Sequence, residues 1–296
     1  MRRATLAILL LCGLVGSLLA GCQREAPPVP GCGADVRAGT TEHTIDVDGE
    51  QRSYLMHVPR DVDGQQLPVV WLFHGLGDKA DTVLKQTDMV EMSEDRDAIV
   101  VVPQADGSAR DWDVYGMATG QGGDARLVDT LKRRIEALRC VDDDRQYVTG
   151  MSNGSGVVFA MACRGLFRAY AGVALTFYAP QCDDAPPASI LYVHGTADRY
   201  VPFRGGPTPL FPVDAATTVI GKWARHDECS GEPTRTTIGS DVTRTRWVTC
   251  ADGSRIDYYV VRGGGHTWPG STPIPPLGKT TDTIKATRLV ADFFDL

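Results

Sequence analysis

The chain has no block of basic residues: 30 Lys and Arg face 37 Asp and Glu, a formal net charge of -7. Such a surface lacks the footprint that displaces counterions from a phosphate backbone, which excludes a nucleic-acid partner and disfavours polyanions. No C-x-x-C or H-x-x-x-H spacing occurs among 8 Cys and 6 His, so the donor sets of structural zinc are missing and no metal is expected. Nothing in the pattern requires a cofactor. No internal repeat, low-complexity stretch or second linker interrupts the sequence, which leaves no seam for a second large domain. The apolar stretch from Ala4 to Ala20 is too short and too interrupted by glycine for a membrane span.

What that stretch offers instead is an export signal. Arg2 and Arg3 precede it, and it ends in Leu19-Ala20-Gly21-Cys22, with small residues before a cysteine. The tetrapeptide resembles a bacterial lipobox, in which Cys22 becomes the lipidated first residue. The expected organisation is a lipoprotein signal over 1–21, a polar, proline-rich tether over 22–30 and one folded domain over 31–296. Gln23 rather than Asp after the cysteine points, by analogy with bacterial sorting, to the outer membrane; plain secretion is the alternative. Membrane contact would then run through Cys22 alone. Of the remaining cysteines, sequence proximity favours Cys163 with Cys182 and Cys229 with Cys250, leaving Cys32 with Cys140, as suits an oxidising compartment.

Thr44–Val47 and Arg52–Val58 flank Asp48-Gly49 and read as a hairpin. Pro68–Phe73, Ala98–Val102 and Ser189–Val193 are short and almost continuously apolar, which suits parallel strands buried on both faces. Between them Leu127, Val128, Leu131, Ile135 and Leu138 share one face of a helix expected over 124–139, with further helices expected over 213–226 and 282–294. Strands alternating with helices predict an α/β fold with a mostly parallel sheet covered on both sides, whose functional loops gather at the carboxyl ends of the strands.

Gly150-Met151-Ser152-Asn153-Gly154 sits at such an end, between the strand-like Arg145–Thr149 and the helical Ser155–Ala162. This G-x-S-x-G pattern is weak evidence in a chain with 32 glycines, but its strand-to-helix context makes Ser152 a candidate nucleophile. A serine hydroxyl at neutral pH needs a histidine to take its proton and a carboxylate to orient that histidine. His266 lies in Gly263-Gly264-Gly265-His266-Thr267-Trp268, a glycine-rich loop after the strand-like Asp257–Val261. Asp198 lies just beyond the Ser189–Val193 strand; Asp183 and Asp184, between Cys182 and two prolines, read as an exposed turn. His194 and His74 read as scaffold residues. The order Ser152, Asp198, His266 is that of α/β-hydrolases. The Asn153 N–H and one from His74-Gly75-Leu76-Gly77, assigned to Leu76, would form the oxyanion hole. Trp112, Tyr115 and Trp268 could stack on a sugar or an aromatic acid, or simply pack against their own loops.

Taken in order, His74-Gly75, Tyr147–Gly154, His194–Asp198 with Val201-Pro202-Phe203, and Gly263–Gly270 resemble the secreted α/β-hydrolase esterases related to feruloyl and acetylxylan esterases and polyhydroxybutyrate depolymerases. The likeness runs from Gly31-Cys32-Gly33 to the C-terminus. It implies Ser152 as nucleophile, Asp198 as acid and His266 as base, and supports the three cysteine pairs. Many relatives carry glycine where this chain has Ser155, and depolymerase-like members often carry cysteine where it has Leu76; both changes bear on the acyl pocket. The expected activity is a serine carboxylesterase acting through an acyl-enzyme on feruloyl or acetyl esters of plant polysaccharide. The alternatives are hydrolysis of 3-hydroxybutyrate oligomers and, from another class, a non-catalytic surface lipoprotein that binds carbohydrate.

Overall fold

A computed structural model of the chain describes residue 32 and residues 36–60, 62 and 64–296. The expected export signal, Cys22 lipidation and tether fall outside the described residues.

Ten strands among the described residues form one sheet: β1 (Gly39–Val47), β2 (Glu50–Val58), β3 (Leu67–Phe73), β4 (Ile99–Pro103), β5 (Val141–Met151), β6 (Ala169–Val173), β7 (Ser189–Gly195), β8 (Thr234–Ile238), β9 (Val242–Trp247) and β10 (Ile256–Val261). Their order is β1-β2-β4-β3-β5-β6-β7-β10-β9-β8. The six central strands, β4 through β10, run parallel, and an antiparallel pair closes each end. The fold is the α/β-hydrolase type expected. At one end Asp48 and Gly49 both take positive φ, 55° and 89°, and join β1 to β2 in the primed turn whose twist matches a hairpin. At the other, β8 and β9 read Thr234-Arg-Thr-Thr-Ile238 and Val242-Thr-Arg-Thr-Arg-Trp247; this pair lacked the apolar run that marks a buried strand.

Seven α-helices among the described residues flank the sheet: α1 (Ala80–Gln86), α2 (Met89–Arg96), α3 (Val114–Thr119), α4 (Gly122–Glu136), α5 (Asn153–Ala162), α6 (Ala216–His226) and α7 (Ala286–Phe293). Alternation along the strands divides the core in two. Val69, Trp71, Phe73, Ile99 and Val101 face a layer that includes Leu127, Val158, Phe159 and Trp223; Val70, Leu72, Val100 and Val102 face one that includes Met89, Val290 and Phe294. Both faces of β3 and β4 are therefore buried, which is why those strands read as unbroken apolar runs.

The last two helices start later than their periodicity predicts. Val213 instead bridges to Gly206, and Thr281 and Thr283 donate their hydroxyls to Asp241, at 2.9 and 2.6 Å, before α7 begins. Tertiary partners for those hydroxyls outcompete an extra helical turn. Disulfides join Cys32 to Cys140, Cys163 to Cys182 and Cys229 to Cys250. The first ties Cys32 to the residue just before β5, across a separation of 108 residues.

Candidate active site

The site lies where β5 hands over to α5. Ser152, between them, has φ 57° and ψ -124°, a left-handed backbone that costs a non-glycine residue energy and persists only where surroundings impose it. Two glycines make the turn possible. A Cβ on Gly154 would lie 2.1 Å from the Phe73 carbonyl oxygen, and one on Gly150 would lie 2.6 Å from the Gly154 oxygen and 2.8 Å from that of Phe73. The spaced glycines of the motif are thus required by the approach of β5 and α5 to the end of β3.

Two further strand ends bring the remaining chemistry. After β7 the chain turns so that Asp198 is buried and its carboxylate accepts four hydrogen bonds. Oδ1 takes the N–H groups of Tyr200 and Val201, both at 2.9 Å; Oδ2 takes His266 Nδ1 at 2.8 Å and His194 Nε2 at 3.3 Å. Burial opposes ionisation of Asp198, but hydrogen bonds from His194 and His266, the charge of His266 when protonated and the Val201 N–H outweigh it. They hold its carboxyl well below the usual carboxylate range. Because a carboxylate can only accept, His266 Nδ1 carries the proton and Nε2 is left as the ring's acceptor.

The loops carrying Asp198 and His266 interlock. Ala197 donates to the Gly264 carbonyl, Gly263 donates to Thr196 Oγ1, and a Cβ on Gly195 would lie 2.3 Å from the Gly264 oxygen. The triple glycine does more than lift a side chain over the sheet edge: Gly265 lies so close to Leu277 that a Cβ would meet its oxygen at 2.2 Å. His266 N–H donates to that same carbonyl at 2.7 Å, so the segment from 271 to 279 folds back beside the histidine.

Ser152 and His266 line one cleft of about 330 Å³. Its walls are largely aliphatic, from Leu76, Val83, Met151, Ile274 and Leu277, with Asp78, Thr82 and Gln86 as polar lining. Leu76 and Ile274 are 39% and 38% exposed, so the cleft presents apolar surface to solvent. Among the described residues no acceptor is found for the Leu76 N–H, and Asn153, as the first residue of α5, has an N–H that no helix carbonyl can take. These are the two donors expected of an oxyanion hole.

His74 is fully buried and supports the loop that carries Leu76. Its Nδ1–H donates to the Gly75 carbonyl at 2.7 Å, and Nε2 accepts from the Ala105 N–H at 3.0 Å and from Gln104 Nε2 at 3.1 Å. The ring is therefore the neutral Nδ1–H tautomer. His194 is also held at both nitrogens, accepting from the Tyr192 hydroxyl at 2.6 Å and donating to Asp198 and to the Val201 carbonyl. Asp183 accepts from the Tyr178 hydroxyl at 2.7 Å and takes no part in the cleft, as neither does Asp184.

The three aromatic candidates fare differently. Trp112 is 2% exposed, its indole N–H donating to the His74 carbonyl at 3.0 Å and its ring edge-on to Phe73, so it offers no face for stacking. Trp268 is 1% exposed; it packs in the core under α7 and donates to Thr287 Oγ1 at 2.9 Å. The sequence leaves both open as stacking platforms or as residues packed against their own loops, because it cannot tell an aromatic at a loop base from one at its rim. Tyr115 is half exposed, edge-on to Phe177 and Phe211. Ser155 is fully buried, and its hydroxyl donates to the Leu175 carbonyl at 2.6 Å; a Cβ on Gly172 would touch it at 2.4 Å. It faces the sheet and does not line the cleft, so only Leu76 of the two departures adjoins the substrate space. The cleft walls Ile274 and Leu277, from a proline-rich segment far along the chain, carried no local signature.

Comparison with known proteins agrees with this architecture. Residues 52–179 match the family model described as esterase PHB depolymerase. Feruloyl esterase D of Neurospora crassa is 25% identical over 89% of this chain and 89% of its own. The probable feruloyl esterase C of Aspergillus terreus is 27% identical over 89% of this chain and 91% of its own. Among solved structures, the acetyl xylan esterase of Aspergillus awamori superposes with a TM-score of 0.64 at 16% identity, over 86% of this chain and 99% of that one. Esterase PE8 gives 0.53 at 17% identity over 80% and 97%. The two solved structures share the fold.

Proposed function

We propose that the chain, a carboxylic ester hydrolase related to the feruloyl esterases and to esterases of the PHB depolymerase type, attacks its ester with Ser152. The observation that carries this reading is the buried Asp198–His266 pair opening on the same cleft as a serine held at φ 57°. His266 Nε2 takes the Ser152 proton as Oγ adds to the ester carbonyl. The carbonyl oxygen becomes an oxyanion held by the Leu76 and Asn153 N–H groups, and the Asp198 carboxylate stabilises the imidazolium. Collapse of the adduct breaks the bond to the alcohol, which leaves with the proton from His266. Water, deprotonated by His266, then adds to the acyl-enzyme, and the acid departs as Ser152 regains its proton.

The substrate we propose is a feruloyl or acetyl ester carried on plant polysaccharide, supported by the feruloyl esterases among the relatives. Polyester oligomers of 3-hydroxybutyrate are the second reading, favoured by the family model and by the aliphatic walls of the cleft. A silent carbohydrate-binding role would leave the strained serine and the buried Asp198–His266 pair without a purpose.

Fluorophosphonate labelling of the folded protein, beside Ser152→Ala and His266→Ala, tests the chemistry: native protein should label and both variants should not. A folded native protein that takes no label, or Ser152→Ala that still hydrolyses p-nitrophenyl acetate, ends the assignment. Comparing kcat/KM for methyl ferulate, acetylated xylan and 3-hydroxybutyrate oligomers ranks the substrates; preference for the last reverses our order. Three disulfides suit an exported protein. Anchoring through Cys22 is tested by metabolic labelling with an alkynyl fatty acid, which Cys22→Ser should abolish.

A further inference from the structure

We propose that Arg110 is a positioning residue that sets the oxyanion hole, a role that rests on the Ser152 chemistry proposed above. The loop carrying the Leu76 donor is gripped peptide by peptide from the segment that follows β4. The His74 carbonyl accepts from the Trp112 indole at 3.0 Å. The Gly75 carbonyl, in the same planar peptide as the Leu76 N–H, accepts from the His74 ring. Since N–H and C=O of a trans peptide point in opposite directions, that bond aims the Leu76 N–H away from His74. Arg110 secures the next two peptides. Its backbone carbonyl accepts the Gly77 N–H at 3.2 Å, and Nε and Nη2 of its guanidinium both donate to the Gly77 carbonyl, at 3.0 and 2.7 Å.

Three bonds between one pair of residues hold the far side of Leu76 as His74 holds the near side. Arg110 has φ 46°, a left-handed backbone that non-glycine residues adopt rarely. The loop accepts that strain at an arginine, and the guanidinium is what it gains. A lysine, as a single point donor, could not reproduce the two-pronged grip on one carbonyl. Arg110 does not line the cleft, so it acts through the Gly75–Asp78 loop that it holds and not by touching substrate.

The test is Arg110→Gly, which keeps φ 46° without strain and removes only the side chain. We expect kcat on p-nitrophenyl acetate to fall roughly 10- to 100-fold, somewhat less than deletion of an oxyanion donor, with KM changed less than threefold. The rate of fluorophosphonate labelling should fall by the same factor, because that reaction also passes through an anionic centre in the hole. Millimolar ethylguanidinium should restore part of both rates. If Arg110→Gly is too unstable to assay, Arg110→Lys, which keeps the stem over the loop, should show the same split between kcat and KM. A folded Arg110→Gly with kcat and labelling within twofold of native overturns the proposal. So does a rise in KM at unchanged kcat. Native protein that takes no label at all would instead strike the Ser152 reading, which separates the two failures.

Discussion

The Asn153 side chain and the Trp112 backbone exchange two hydrogen bonds: Trp112 N–H to Asn153 Oδ1 at 2.6 Å, and Asn153 Nδ2 to the Trp112 carbonyl at 3.2 Å. Both residues are buried, so the amide substitutes for a strand partner and fixes the first turn of α5 against the loop that holds His74. Asn153→Ala keeps the proposed backbone donor but leaves the buried Trp112 N–H unpaired, while the Trp112 carbonyl retains the Val114 N–H at 3.0 Å. One such orphaned group costs about 1–3 kcal/mol. Urea titration should therefore show stability lowered by about 1–3 kcal/mol, and the folded variant should label more slowly with fluorophosphonate.

Asp198 accepts hydrogen bonds from two histidines and two backbone N–H groups. Replacing it with Asn exchanges one acceptor oxygen for an N–H donor, so His266 can no longer keep its proton on Nδ1 and offer Nε2 to Ser152. By the proposed mechanism Asp198→Asn should lower kcat about 10⁴-fold. The check is steady-state kinetics on p-nitrophenyl acetate, with circular dichroism establishing that the fold is retained.

Gly154 offers a sharp contrast with glycines at open turns. A Cβ there would fall 2.1 Å from the Phe73 oxygen and 2.6 Å from that of His74, both backbone atoms fixed by β3 and its neighbours. Nothing flexible can give way. Gly154→Ala should abolish soluble expression or lower the melting temperature by at least 10 °C. Gly64→Ala, where a Cβ has no atom within 4 Å, should cost only the strain of φ 69°.

Much of this was legible in the sequence for physical reasons that differ from element to element. β3 and β4 were readable because burial on both faces leaves no polar residue in them, and the β1–β2 turn because Asp-Gly tolerates two positive φ values. Ser152, Asp198 and His266 could be named because each follows a recognisable strand and carries glycine or turn residues that the close approach of loops demands. What could not be read was set by partners distant in the chain. Trp112 and Trp268 look like binding aromatics until the carbonyl of His74 and the hydroxyl of Thr287 take their indole N–H groups. Arg110 is one arginine among many, and only the fold brings it to Gly77. Ser155 replaces a glycine expected at the elbow, yet its hydroxyl finds Leu175 beneath the helix.

His74 makes stability depend on pH in the range where histidine titrates. Burial lowers its pKa below the ordinary 6.5 and the Arg110 charge acts in the same direction. The Gly75 carbonyl and the carboxylates of Asp78 and Asp124 oppose them without prevailing. The unfolded ring therefore binds a proton near pH 6.5 that the folded ring still refuses, so the unfolded state holds more protons and stability falls as pH drops through 6.5. The loss continues until the folded ring itself titrates, at up to about 1.4 kcal/mol per pH unit for one histidine. His43 and His57 are lowered chiefly by burial too and add in the same direction. Urea unfolding at pH 7.5, 6.0 and 5.0 should thus show declining stability, and His74→Asn, less stable at pH 7.5, should decline less steeply. Protonating His74 also sets an N–H against the Ala105 N–H, which must break the bond that seats the ring. Folded native protein should accordingly begin to lose fluorophosphonate reactivity, in acid, at the pH where the ring titrates. An acid limb in stability with the same slope in His74→Asn as in the native chain would assign the effect to the other histidines.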